Sequence, residues 1–199
     1  MPRRITARPV RDHGVRLRGL VVGALAVLAA VLAAVLAGCG GSPSAAMDNK
    51  INVYAVSERA AAPVLRGDLL DGSGTFDVAA HAGQVIVVNF WASWCAPCRV
   101  EADDLEQTFE ATRGDGVTFL GINSNDQRDA AKAFVRGRST YPSVFDPASR
   151  LALGFSVSPT AIPSTVIIDR HGRVAAVVRR AVVRSELEAA VASVAAEPR

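Results

Sequence analysis

The chain has 199 residues, half of them hydrophobic, and a formal net charge of +3. Six of its 22 basic residues and one of its 19 acidic residues lie ahead of Cys39, which leaves the remainder near −2. That balance provides no basic surface for a nucleic acid, and residues 62 to 199 have room for one domain of ordinary size.

The first 38 residues are a different material from the rest. Arg3, Arg4, Arg8, Arg11, Arg16 and Arg18 form a basic head, and residues 19 to 37 are an unbroken run of Gly, Leu, Val and Ala. A basic head, an apolar body and small residues at its end describe a secretory signal. The ending Leu36-Ala37-Gly38-Cys39 resembles the bacterial lipobox, in which the cysteine is diacylated and becomes the new N-terminus. Cys39 is therefore the expected lipidation site, and residues 1 to 38 the expected lipoprotein signal peptide. The apolar run is also long enough for an uncleaved membrane helix. Either way the arginines hold the N-terminal side in the cytoplasm and the domain lies outside it. Residues 39 to 61 read as a flexible, lipid-anchored linker, small-residue at 40 to 46, with an alternation at 51 to 56 that would suit a short edge strand.

From residue 62 the pattern is regular. Residues 69 to 78 read as two strand pieces around a Gly-rich turn. Residues 85 to 91, Val-Ile-Val-Val-Asn-Phe-Trp, form a buried strand. A polar helix follows from the cysteines to about Thr112, with Leu105, Phe109 and Thr112 on one side. Residues 117 to 123 are a second buried strand, and 126 to 138 a helix with Ala130, Ala133 and Phe134 as its inner face. A short strand at 144 to 146 and a helix at 149 to 155 come next. Buried strands at 164 to 169 and 174 to 179 precede a closing amphipathic helix at 184 to 195, apolar at Leu187, Ala190, Val191 and Val194. Strands alternating with helices give an α/β layered domain, with parallel central strands and an antiparallel hairpin at one edge.

Cys95 and Cys98 stand two residues apart where the first buried strand hands over to a helix. A cysteine at a helix N-terminus meets unpaired backbone N–H groups and the positive end of the helix dipole. Both favour the thiolate, which is the reactive species. The spacing lets the second sulfur close a disulfide on the first, as a dithiol–disulfide exchanger requires. A zinc half-site would need a second pair of ligands. The remaining cysteine is Cys39, and His13, His81 and His171 are scattered, so no metal is expected.

The segment Asn89-Phe90-Trp91-Ala92-Ser93-Trp94-Cys95-Ala96-Pro97-Cys98-Arg99 resembles the active-site segment of the thioredoxin superfamily. It is most similar to the extracytoplasmic TlpA/ResA-like (DsbE-type) thiol–disulfide oxidoreductases, and the resemblance runs over about residues 62 to 195. It implies a thioredoxin-like fold: a central mixed sheet flanked by helices, with an N-terminal β-hairpin and a central helical insertion at 124 to 155. It implies Cys95 as the attacking thiolate, first at the helix end and the more exposed, and Cys98 as the resolving thiol. Pro97 would tune the pair. Ile162-Pro163 resembles the family's cis-proline loop, which presents backbone to an extended substrate. Trp94 would shield Cys95 and form contact surface, while Trp91 belongs to the core. Glu101 lies one helical turn after Cys98, where this branch often carries a glutamate. It would relay a proton with Cys98 or simply stabilise the helix dipole. Asn89 stands where thioredoxin has an aspartate and cannot relay a proton, which moves any such role to Glu101.

The resemblance further implies disulfide-containing exported proteins as substrates, apocytochrome c among them, and a membrane-embedded thiol carrier as electron donor. The chain carries no nucleotide or flavin signature, so no cofactor is expected. Two other activities share the fold. A peroxiredoxin-like peroxidase would need a threonine or serine three residues before the reactive cysteine, where this chain has Ala92. A copper or haem carrier favours a spacing one residue longer, plus a distal histidine for which only His171 is a candidate.

Overall fold

Seven strands and four α-helices follow one another in residues 50–198, the part that the computed structural model describes. The signal segment, Cys39 and the small-residue tether after it lie outside the described residues. Strands β1 (Arg66–Asp68) and β2 (Thr75–Asp77) pair antiparallel as a hairpin, with β1 lying ahead of the 69 to 78 range expected for both pieces. β3 (Val85–Trp91), β4 (Val117–Ser124), β5 (Ser143–Asp146), β6 (Ser164–Ile168) and β7 (Val174–Val178) form a mixed sheet in the order β5-β4-β3-β6-β7. β3, β4 and β5 are parallel, and β6 and β7 complete the sheet as the expected antiparallel edge. The helices are α1 (Ala96–Thr112), α2 (Arg128–Val135), α3 (Arg150–Gly154) and α4 (Arg184–Ala195).

Every residue of β3 is buried, because both faces of the sheet are covered. Val85 and Val87 point to one side, against Leu105 of α1 and Leu187, Val191 and Val194 of α4. Ile86, Val88 and Phe90 point to the other, against Phe76, Ala152 and Phe155. This alternation decides the chemistry at the strand's end. Asn89 and Trp91 share the Val85–Val87 parity and so face the start of α1. Gly121 on β4 is required by the same packing, since a Cβ there would lie 2.7 Å from the Trp91 indole nitrogen and collide with the Ser143 hydroxyl.

Four expectations need correction. Residues 51–61 do not behave as a flexible linker. Ile51 is buried in the core, Tyr54 N–H donates to Ala175, and Ala60 accepts from Val174, so the segment covers the open edge of β7. It does so as irregular backbone with one 3-10 turn (Val56–Glu58), not as a strand. The physical anchor is Arg59, whose buried guanidinium pairs with Asp169 at 3.0 Å and Glu197 at 2.6 Å. The second helix is shorter than expected, Arg128–Val135 rather than 126 to 138. Asp126 is drawn away to bond Ser93, and beyond the helix Arg136 is extended and Gly137 has φ 68°. Its inner face is Ala131 with Phe134 and Val135; Ala130 and Ala133 are exposed.

Candidate active site

The chain leaves β3 at Trp91, turns through residues 92–95 and enters α1 at Ala96. Cys95 is the N-cap of α1. Its N–H donates to Ala92 at 3.2 Å and its Sγ accepts the N–H of Cys98, also at 3.2 Å. The helix has proline in its first two positions, where the absent N–H costs nothing. Cys95 and Cys98 form a disulfide with a Cα–Cα distance of 5.3 Å. When it opens, the first sulfur keeps an N–H donor and the positive end of a 17-residue helix. The expected difference in exposure is slight in this oxidised state, with Cys95 at 4% and Cys98 at 2%.

The surroundings are lopsided. Outward, Trp94 and Val100 are exposed, 55% and 78%, and Pro97 is exposed between them, so an apolar lip flanks the two cysteines along the chain. Trp94 is held in place by its indole N–H, which donates to the Asn125 carbonyl at 2.9 Å. The Ile162–Pro163 peptide is cis. Ile162 rests against the cluster of Trp91, Ala92, Cys95 and Cys98, so the proline loop closes one flank of the cysteines. Inward, a cavity of about 20 Å³ is lined by Asn89, Trp91, Cys98, Tyr141 and Ser143, room for about one water.

Glu101 lies wholly inside, at 1% exposure. One carboxylate oxygen accepts from the Asn89 side-chain amide at 2.8 Å and the other from the Val182 N–H at 2.9 Å. Burial pushes its pKa up to about 7; the two N–H donors oppose the rise and the charge of Asp104 adds to it. Asn89 also donates to the Thr165 hydroxyl at 3.2 Å, which ties α1, β3 and β6 together beneath the cysteines.

The residues singled out by sequence therefore converge: Cys95, Cys98, Trp94, Pro97, Ile162, Pro163, Glu101 and Asn89 all stand at one end of the sheet. His171 does not; it follows β6 at the opposite end. Sequence reasoning missed Asp126, Thr165 and Val182. Asp126 could have been found, because loops at the carboxyl ends of parallel strands are where such folds build sites. Val182 contributes only a backbone N–H and carries no sequence signal.

The family model described as AhpC/TSA matches residues 59–177, more than half of the chain. The chain belongs to the AhpC/TSA family. The chain is also similar to proteins of disulfide exchange. The thiol:disulfide interchange protein HelX of Rhodobacter capsulatus is 35% identical over 57% of this chain and 62% of its own length. The thiol-disulfide oxidoreductase ResA of Geobacillus kaustophilus is 26% identical over 54% of this chain and 62% of its own. The match thus spans about three fifths of these relatives' length. A solved structure, a DsbF homologue from Corynebacterium diphtheriae, is 35% identical with a TM-score of 0.67, covering 77% of this chain and 96% of that one. The thioredoxin-like fold is common to them.

Proposed function

We propose that this chain is an extracytoplasmic thiol–disulfide oxidoreductase that reduces disulfides in exported proteins. The observation that carries this reading is the Cys95–Cys98 disulfide at the N-terminus of α1, under an apolar lip and a cis-proline loop. The names of the relatives, interchange protein and thiol-disulfide oxidoreductase, support it.

In the reductive half-reaction the Cys95 thiolate attacks one sulfur of the client disulfide. A mixed disulfide forms and the client's other sulfur leaves as a thiolate that takes a proton. The Cys98 thiol loses its proton and attacks Cys95 Sγ. That step closes the disulfide seen here and releases the second client thiol, so two electrons have passed from the protein to the client. Glu101 is the proton acceptor for Cys98 in this account. It lies one turn along the same helix face, and its pKa of about 7 lets it take and return a proton near neutral pH.

The client side would be an extended segment laid against Trp94, Pro97, Val100 and the Ile162–Pro163 loop. The domain is carried outside the cytoplasm by the signal at residues 1 to 38 and tethered through a lipid on Cys39. No described helix is long and apolar enough to cross a membrane. Regeneration requires two electrons from a membrane-embedded thiol donor, and apocytochrome c thiols before haem attachment are a client of suitable chemistry. The peroxidase alternative is weaker, because Ala92 is a buried methyl where that chemistry needs a hydroxyl.

Catalytic reduction of a model protein disulfide by the full chain, recycled with excess dithiol, tests the reading. Cys95→Ser is expected to remove turnover, and Cys98→Ser to accumulate a mixed disulfide. A Cys95→Ser protein that still turned over would overturn it.

A further inference from the structure

The turn that carries Cys95 is fastened from the neighbouring loop by one carboxylate. Asp126 follows β4 and accepts four hydrogen bonds. Two come from Ser93, the N–H at 2.5 Å and the hydroxyl at 2.8 Å. The others come from the Asn123 side-chain amide at 2.9 Å and the Gln127 N–H at 2.7 Å. The adjacent residue completes the fastening, since Asn125, in the left-handed region at φ 51°, accepts the Trp94 indole. Two successive residues before Cys95 are thus pinned to two successive residues after β4. Burial pushes the Asp126 carboxyl up, but the donors from Ser93, Asn123 and Gln127 together outweigh that and hold it below its ordinary value. It is an anion at neutral pH. Other charges at this pole are Arg99, which donates to the Ser93 carbonyl at 3.3 Å, Arg138, which shares the Phe134 ring with it, Arg128, which donates to Leu69 and Leu70, Lys132, which donates to the Asp71 carbonyl, and the buried Glu101.

We propose that Asp126 is the positioning residue for Cys95, and that its fixed negative charge also holds the cysteine pair toward the reducing side. The positioning follows from the bonds: Asp126 fixes the backbone two residues before the sulfur and, through Asn125, the indole beside it. The redox effect follows from charge. A nearby carboxylate disfavours the Cys95 thiolate, so it destabilises the reduced form relative to the disulfide. A pair whose reduced form is less stable is the stronger reductant. The helix N-terminus pulls the other way, and Asp126 offsets it. The proposal rests on the exchange reading above, but its test does not use a client.

The full chain in detergent is equilibrated with mixtures of reduced and oxidised glutathione. Two glutathione thiols give up two electrons as the protein disulfide is reduced. Mass spectrometry of the alkylated peptide holding both cysteines reads the position of equilibrium, and the pH dependence of alkylation reads the Cys95 thiol. Asp126→Asn keeps the size and removes the charge. It is expected to lower the Cys95 pKa by about one unit and shift the equilibrium about tenfold toward the dithiol, which is about 30 mV. Ser93→Ala removes one bond and keeps the charge, so it should slow exchange several-fold and move the equilibrium less than twofold. Should Asp126→Asn fail to fold, Asp126→Ser removes the same charge and still offers Ser93 an acceptor. An unchanged thiol pKa and equilibrium in the neutral variant would overturn the proposal, as would an equal shift in Ser93→Ala. A disulfide that neither glutathione nor excess dithiol reduces in the unaltered chain would instead overturn the exchange reading.

Discussion

Two buried carboxylates, at opposite ends of the sheet, meet opposite fates. Asp169 follows β6 and is 2% exposed; Glu101 sits under the cysteines at 1%. Asp169 is surrounded by charge-assisted donors: Arg59 at 3.0 Å, Arg173 at 2.9 Å and the N–H groups of His171 and Arg173. Burial pushes its pKa up, but these donors hold it below the ordinary value. Glu101 has two neutral amide donors and, among the described residues, no cation, so burial wins and its pKa rises to about 7. Equal exclusion from solvent therefore does not give equal chemistry, because Glu101 lies deeper in the protein and lacks the cations that face Asp169. A buried acid with cations is a structural rivet, and one without them is a proton store.

The largest effect expected from breaking this contrast is at the rivet. Arg59→Ala leaves Asp169 and Glu197 without their shared cation and should cost about 3–5 kcal/mol in denaturant unfolding. The glutathione equilibrium of the cysteine pair should not move.

Glu101 gives a pH signature of the opposite sign from Asp169. Its native pKa lies above its unfolded value, so its contribution is full below about pH 4.5 and is lost as pH rises to about 7. The loss is on the order of 3 kcal/mol, from a shift worth about 1.4 kcal/mol per unit. Asp169 contributes above its unfolded pKa of 3.8, and that contribution is lost as pH falls through its lower native value. Glu101→Gln should flatten the decline between pH 4.5 and about 7 in unfolding midpoints, and leave the acid limb intact. It should also remove the dependence of exchange rate on a group titrating near neutrality.

Gly121→Ala is a smaller perturbation of the cysteine end alone. The added methyl meets the Trp91 indole and the Ser143 hydroxyl, and overpacking of this kind costs about 1–3 kcal/mol. The smallest stability effect belongs to the lip. Trp94 is more than half exposed, so Trp94→Ala should change unfolding by under about 0.5 kcal/mol. Its signature is kinetic, a several-fold higher KM for a protein disulfide with little change for a small one.

Much of the cysteine end was legible in the sequence, because its parts are local or carry strong signals. The run at residues 85 to 91 had to be a buried strand, the cysteine pair marked its exit into a helix, and Pro163 preceded another apolar run. Glu101 was found by helical spacing, but its burial and its partner Val182 were not, since that contact joins residues 81 apart in sequence. Asp126 and Arg59 escaped for the same reason. One aspartate among many bonds a turn 33 residues back, and one arginine of a chain rich in them becomes the buried one. The face of α2 was misjudged because three of its eight residues are alanines, which suit a buried or an exposed position alike, and tertiary contacts chose Ala131 over its neighbours.

The most direct test of the contrast follows the carboxyl carbons of Glu101 and Asp169 by NMR across a pH titration of the oxidised full chain. The account predicts a midpoint near 7 for Glu101, and for Asp169 a midpoint below its ordinary 3.8. A Glu101 midpoint near 4.5 would mean that the buried acid is ionised throughout and cannot serve Cys98, and would contradict it.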